Sequence, residues 1–169
     1  MGDYLALENG VPTDRLAKDN SAGAADAGRV IKTNGAGKLD PSLLPEGVGP
    51  EQRTIQASEN LAAGELINIW SDGGTAKARK ADATSAGKEA NGFVLSAVTA
   101  GQAATVWIEE AVLTGQAGLT PGARYFLDTA AGAMTDTAPS GSGNVAQVVG
   151  TALSATELMF RPDTPITIA

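Results

Sequence analysis

The chain has no cysteine and no histidine. It therefore lacks a thiol nucleophile, any disulfide, the usual zinc and haem ligands, and the side chain that titrates near neutral pH, so much of enzyme chemistry is closed to it. The missing cysteines leave the redox compartment open, since such a chain tolerates reducing and oxidising surroundings alike. Aromatic residues are scarce: Phe 3, Trp 2 and Tyr 2 make 4% of 169 residues, against 43% hydrophobic. Much of that apolar content is alanine, whose burial stabilises little, so a thin core is expected. Cations are few as well. Lys+Arg number 12 against 19 Asp+Glu, for a net charge of -7, the wrong sign for neutralising phosphates over a broad surface; no nucleic-acid partner is expected. No window approaches the roughly 18 continuous apolar residues of a membrane span, and Met1 to Gly10 lacks the basic start and apolar stretch of a secretory signal. Neither membrane association nor signal-directed export is expected. Gly2 follows Met1, but Ala6 stands where the myristoylation pattern requires Ser or Thr.

What the chain does have is Gly (21) and Pro (8), both of which break helix interiors and argue against a bundle of long helices. Its size suits one domain plus an arm. Residues 1–50 read as that arm, extended and mostly irregular. A small apolar cluster (Tyr4, Leu5, Leu7, Val11) precedes Ser21-Ala-Gly-Ala-Ala-Asp-Ala-Gly28, a run with almost nothing to bury. Val30 and Ile31 then start a short extended piece, and Asn34-Gly35 marks a turn. The prolines of Asp40-Pro41 and Leu44-Pro45 push the residues before them out of the helical region, so at most one turn fits between them. Leu39, Leu43 and Leu44 thus sit on an irregular strap that must lean on something else.

Residues 51–169 read as an all-β domain, a small antiparallel sandwich or barrel: short apolar segments punctuated by Gly, Pro, Asn and Asp. Leu66–Trp70 and Ala76–Ala81 flank Ser71-Asp-Gly-Gly-Thr75 as one hairpin, with Leu66 and Trp70 on one face and Ile67 and Ile69 on the other. Gly92–Val98 and Ala104–Glu109 make a second, which Ala111–Thr114 is expected to continue. Thr120-Pro-Gly122 has type II turn chemistry and launches Ala123–Leu127, whose return strand is Ala133–Asp136. Val145–Leu153 and Glu157–Arg161 follow, and the proline-containing tail 162–169 suits an edge or intersubunit strand. Ala81–Ala90 is the one helix candidate, with Ser85 as its cap and Gly87 against it.

No constellation among these residues carries catalysis. Glu109-Glu110 is the single adjacent carboxylate pair, but neighbours on a strand point to opposite faces and cannot share a site as a glycosidase pair must. Lys77, Arg79 and Lys80 form one basic cluster, readable as a contact for an acidic surface or as an edge strand that uses cations to block pairing. Gly115-Gln-Ala-Gly118 and Gly141-Ser-Gly-Asn144 match no phosphate-binding pattern. Asp72 and Asp128 offer single carboxylates, too few for calcium. No serine has a histidine to activate it. Trp70 and Trp107 read as core anchors. No catalytic, cofactor-binding or metal-ligating residue is assigned, no cofactor is expected, and a two-carboxylate carbohydrate hydrolase stands as the remote enzyme alternative.

Taken in order, several segments resemble a known group. Tyr4-Leu-Ala-Leu-Glu-Asn-Gly-Val-Pro12, Ser21–Lys32, Gly35-Ala-Gly-Lys-Leu-Asp40 and Leu44-Pro-Glu-Gly-Val-Gly49, then Ile55–Trp70, Gly92-Phe-Val-Leu95, Thr120–Leu127 and Ala138–Gly150, resemble the head decoration, or capsid cement, proteins of tailed bacteriophages. The resemblance covers nearly the whole chain. Each motif alone is turn and linker chemistry; their order carries the likeness, and the linker portion also recurs in tail fibres. The resemblance implies a virion structural protein on the outer capsid surface, made in the host bacterial cytoplasm, with the major capsid protein and two further copies of itself (a homotrimer) as partners and no catalytic residues. Residues 1–50 would reach across a neighbour, with Val30, Ile31, Leu39, Leu43, Leu44 and Pro45 as the capsid or intersubunit contacts. A tail-associated or fibre-like receptor-binding protein is the alternative.

Overall fold

The computed structural model of the chain describes residues 3–44 and 51–169. The chain divides into two units, Met1–Gly49 and Pro50–Ala169.

In the first unit, Asn9 and Gly10 both take positive φ, 51° and 81°, as a two-residue type I′ hairpin turn requires; Asn tolerates that region and Gly has no Cβ to oppose it. The turn joins β1 (Tyr4–Glu8) to β2 (Val11–Arg15), antiparallel from Tyr4↔Arg15 to Glu8↔Val11. Among the described residues the rest of the arm is mostly irregular, as expected, and the hairpin is the regular piece that the Asn-Gly pair announces. Beyond the hairpin the unit carries two short 3-10 turns, Gly23–Asp26 and Pro41–Leu43, and a parallel bridge between Lys18 and Ile31. The Pro41–Leu43 turn matches the single turn expected between the two prolines.

The second unit is all β. Its strands β3 (Gln52–Ala57), β4 (Leu66–Asp72), β5 (Thr75–Lys80), β6 (Gly92–Val94) and β7 (Ala103–Trp107) close into a barrel in the order β3-β5-β4-β6-β7. Four of its pairings are antiparallel. The fifth, β3 with β5, is parallel (Gln56↔Lys77, Ala57↔Ala78). A separate five-stranded antiparallel sheet runs β10-β9-β12-β13-β8, from β8 (Ala111–Thr114), β9 (Arg124–Leu127), β10 (Met134–Thr135), β12 (Val148–Ala152) and β13 (Glu157–Phe160). The short strands β11 (Val145–Ala146) and β14 (Ile166–Thr167) pair with each other, so the tail is an edge piece laid on its own chain.

Alternation along the barrel strands supplies two cores at once. Ile67, Val94 and Val106 join Ala57, Ala78 and Ala104 in one cluster, while their neighbours Leu66, Phe93 and Trp107 join a second with Leu113, Leu127, Leu158 and Phe160 from the sheet. A five-stranded barrel is narrow, and alanines fill its interior where larger side chains would collide. Here the alanine-rich composition finds its use. Gly92 serves the same crowding: a Cβ there would lie 2.5 Å from the Trp107 carbonyl oxygen, so only glycine lets β6 approach β7 this closely.

Four expectations need correction. Ala81–Ala90 forms turns, with Gly87 at φ 91° breaking any helix. Ala111–Thr114 does not continue the barrel sheet but starts the other one, because the chain bends at Glu109 and at Glu110, which takes φ 45°. Trp70 is no core anchor: it is half-buried, its indole stacks on the Arg79 guanidinium (4.9 Å) and its Nε1–H donates to Ser58 Oγ. The anchors are Phe93 and Phe160, both fully buried and edge-to-face at 5.3 Å, with Trp107 stacked on Phe93. Finally, β5 is not an edge strand, since β3 and β4 flank it.

Candidate interaction surface

The two units differ in what they bury. In the second, twenty-two apolar residues are buried; in the first, Ala17 is the one buried hydrophobic among the described residues. Eight large apolar side chains of the first unit stay exposed: Leu5, Leu7, Val11, Leu16, Val30, Ile31, Leu39 and Leu44. The second, with more than twice as many residues, exposes four: Val112, Leu153, Met159 and Ile166. Scattered exposed apolar residues are ordinary, but their concentration in a segment without a core is the mark of an interaction surface.

Polar bonds hold this first unit together. The Asp3 carboxylate accepts from the Ala17 N–H (3.0 Å) and from Lys32 Nζ (2.6 Å), tying the start of the chain to both strands of the Lys18–Ile31 bridge. There the Lys18 N–H donates to Val30 O (2.8 Å) and the Lys32 N–H to Lys18 O (2.9 Å). Asp26 accepts from the Ala22 N–H (2.7 Å) and pairs with Lys18 Nζ (3.0 Å). The Ser42 hydroxyl donates to Asp40 (2.6 Å) and accepts from the Ser21 N–H (2.9 Å), fastening the strap to residue 21. Glu8 and Arg15 pair across the hairpin. These bonds leave their trace in the acids: the Lys32 ammonium and the Ala17 N–H hold Asp3 below its ordinary range, the Ala22 N–H and Lys18 do so for Asp26, and Ser42 does so for Asp40. Asp3 in turn raises Lys32.

Val30 and Ile31 sit where backbone bonds to Lys18 fix them, with their side chains about half exposed. Leu43 lies in the 3-10 turn and is half-buried, Leu44 follows it exposed, and Leu39 precedes it exposed. Pro45 lies outside the described residues. Among the described residues, no hydrogen bond links 30–31 directly to 39–44; both segments are fixed through 17–22. On the hairpin, Leu5 and Leu7 share one face at two-residue spacing, opposite Asp14 and Pro12. Sequence reasoning noted their cluster without assigning it to the surface, although Asn9-Gly10 between alternating residues was the signal to do so.

The remaining candidates for chemistry are occupied elsewhere. Lys77 pairs with Asp72 (2.6 Å) and Lys80 with Glu65 (2.7 Å), while Arg79 donates to Asn68 Oδ1 and Gly87 O. Glu109 and Glu110 are exposed on a bend. A cleft of about 390 Å³ lined by Gln116, Leu119, Tyr125, Asp128 and Met134, with Asp136, opens in the second unit. Its two carboxylates accept hydrogen bonds from Thr129, Ala130 and Thr137 next to them in the chain. Among the described residues no three acidic, histidine or cysteine side chains gather as a metal would need, and no helix is long and apolar enough to cross a membrane.

No protein-family model matches the chain, and no curated protein matches it.

Proposed function

We propose that this chain is a structural protein of a bacteriophage virion that binds the outer surface of the capsid and reinforces the shell as a cement, acting as a homotrimer without catalysis. The observation that carries the reading is the first unit: eight large apolar side chains are exposed on a segment whose described residues bury one alanine. Such a segment gains little from folding alone and much from covering a neighbour. The second unit, with a closed barrel and its own buried clusters, is a β body that does not need the first unit for its core. Its acidity suits a surface that faces away from packaged DNA. The resemblance of the ordered motifs to decoration proteins selects the shell, with the major capsid protein as partner.

The test is the copy number of this chain in purified virions relative to the major shell protein, by quantitative mass spectrometry. A ratio near that of the shell subunit is the expected result. A ratio of a few per cent would move the protein to the tail and favour receptor binding, and absence from the particle would overturn both readings.

A further inference from the structure

Three Asn-Gly pairs occur in the chain, Asn9-Gly10, Asn34-Gly35 and Asn91-Gly92. An asparagine followed by glycine is open to attack by its own backbone, because no Cβ shields the next peptide nitrogen. The three sites offer that reaction very different surroundings.

At Asn34 the side-chain oxygen accepts two backbone N–H groups, from Ala36 (3.0 Å) and Lys38 (3.1 Å). Two donors on one carbonyl oxygen draw electron density from Cγ and stabilise the oxyanion that forms when a nucleophile adds, as donor pairs do in acyl-transfer sites. Gly35 N–H, the nucleophile's precursor, bonds to no described acceptor, and Gly35 and the turn after it are exposed to water, with Asn34 half-buried. At Asn91 the oxygen also accepts two donors, Asn68 Nδ2 and the Ile69 N–H, but the following Gly92 is buried in β6 with the Trp107 carbonyl oxygen 2.5 Å from where its Cβ would stand. That backbone cannot swing toward Cγ without breaking the barrel wall. At Asn9 the backbone is fixed at φ 51° by the hairpin, and no described group donates to the side-chain oxygen.

We infer that Asn34 is a self-modification site: its side chain deamidates through the Gly35 nitrogen, in preference to Asn9 and Asn91. In the reaction the Gly35 nitrogen loses its proton to solvent base and bonds to Asn34 Cγ. The Cγ–Nδ2 bond breaks and ammonia leaves with a proton from water, giving a five-membered imide. Water then adds to either imide carbonyl and opens the ring to aspartate or isoaspartate. No oxidant or cofactor takes part. The isoaspartyl product carries an extra backbone carbon between Ile31 and Leu39 and removes the acceptor geometry that bonds Ala36 and Lys38. This chemistry stands whether or not the chain binds a shell.

The experiment is an incubation of the full chain at mildly alkaline pH, with peptide mapping by mass spectrometry at intervals and enzymatic methylation to count isoaspartate. The peptide Thr33–Lys38 is expected to gain one mass unit about tenfold faster than the peptides holding Asn9 or Asn91, a difference of one decade in rate. In denaturant the three rates should converge. Gly35→Ala tests the nucleophile: a Cβ there meets open space and needs no unusual φ, so the turn persists while conversion at Asn34 slows about tenfold through crowding at nitrogen. Equal native rates at all three sites, faster conversion at Asn9 or Asn91, or an Asn34 rate unchanged by Gly35→Ala would overturn the inference.

Discussion

Replacing Val30, Ile31 and Leu39 together by serine separates a contact surface from a core. The three side chains are 48%, 52% and 51% exposed, so about half of each remains to be covered by a partner. Full burial of such a side chain is worth about 1.5–3 kcal/mol, hence the uncovered half about 0.8–1.5 kcal/mol each. Loss of all three should weaken shell binding by roughly 2.5–4.5 kcal/mol, on the order of 10²- to 10³-fold in Kd. Unfolding of the second unit should barely notice, because none of the three side chains belongs to its buried clusters and substitutions away from a core usually stay within about 0.5 kcal/mol. The assay pairs co-sedimentation with emptied shells over a concentration series with thermal unfolding followed by circular dichroism. A melting temperature lowered by many degrees with binding intact would show that these side chains hold the fold, and an unchanged Kd would show that the shell does not touch them. Either result refutes the reasoning.

Three further outcomes are expected. Phe160→Ala removes a fully buried ring edge-on to Phe93 and should cost about 3–5 kcal/mol by chemical denaturation, enough to consume much of a small domain's stability. Asp3, Asp26 and Asp40 have lowered folded-state pKa values, so the stability they lend is complete above the ordinary value of 3.8 and is lost as pH falls through the lowered values; amide protection in residues 17–32, taken relative to the intrinsic exchange rate at each pH, should therefore fall in acid, and constant protection there would contradict the polar scaffold. Deleting residues 1–45 should leave an unfolding transition for the β body, whose buried clusters lie wholly within residues 57–160, and abolish shell binding; binding at full strength by the truncated chain would rule out the arm.

Local chemistry made much of this fold legible. The double glycine at 73–74 announces the turn between β4 and β5, and Pro121-Gly122 announces the turn that leads into β9, which pairs with its expected return strand β10. Long-range geometry left no such mark. Nothing in Gln52–Ala57 declares a parallel pairing with β5 more than twenty residues away, since pairing across a closed barrel depends on where other strands bring it. Trp70 and Phe93 show the same limit: size alone favours tryptophan for the core, yet the register of β4 on β5 sets Trp70 beside Arg79 and the β6 register sets Phe93 inside. For the surface, Val30, Ile31, Leu39 and Leu44 were legible because apolar residues on irregular chain have nowhere to hide. Leu5, Leu7 and Leu16 escaped assignment, although the hairpin turn that exposes the first two is written in Asn9-Gly10.

The closure of the barrel has a mechanical meaning. Any pull passed along the chain from residue 50 enters the body at β3, and β3 is not a free margin that could be peeled away one bond at a time. It is clamped on both sides, through five residue pairs to β7 and two to β5, running against one neighbour and with the other. Both ladders must give way before the strand can leave. A tether rooted in such a strand carries load into the whole wall of the barrel, so a strained arm is expected to let go at its far end before it unravels the body that anchors it.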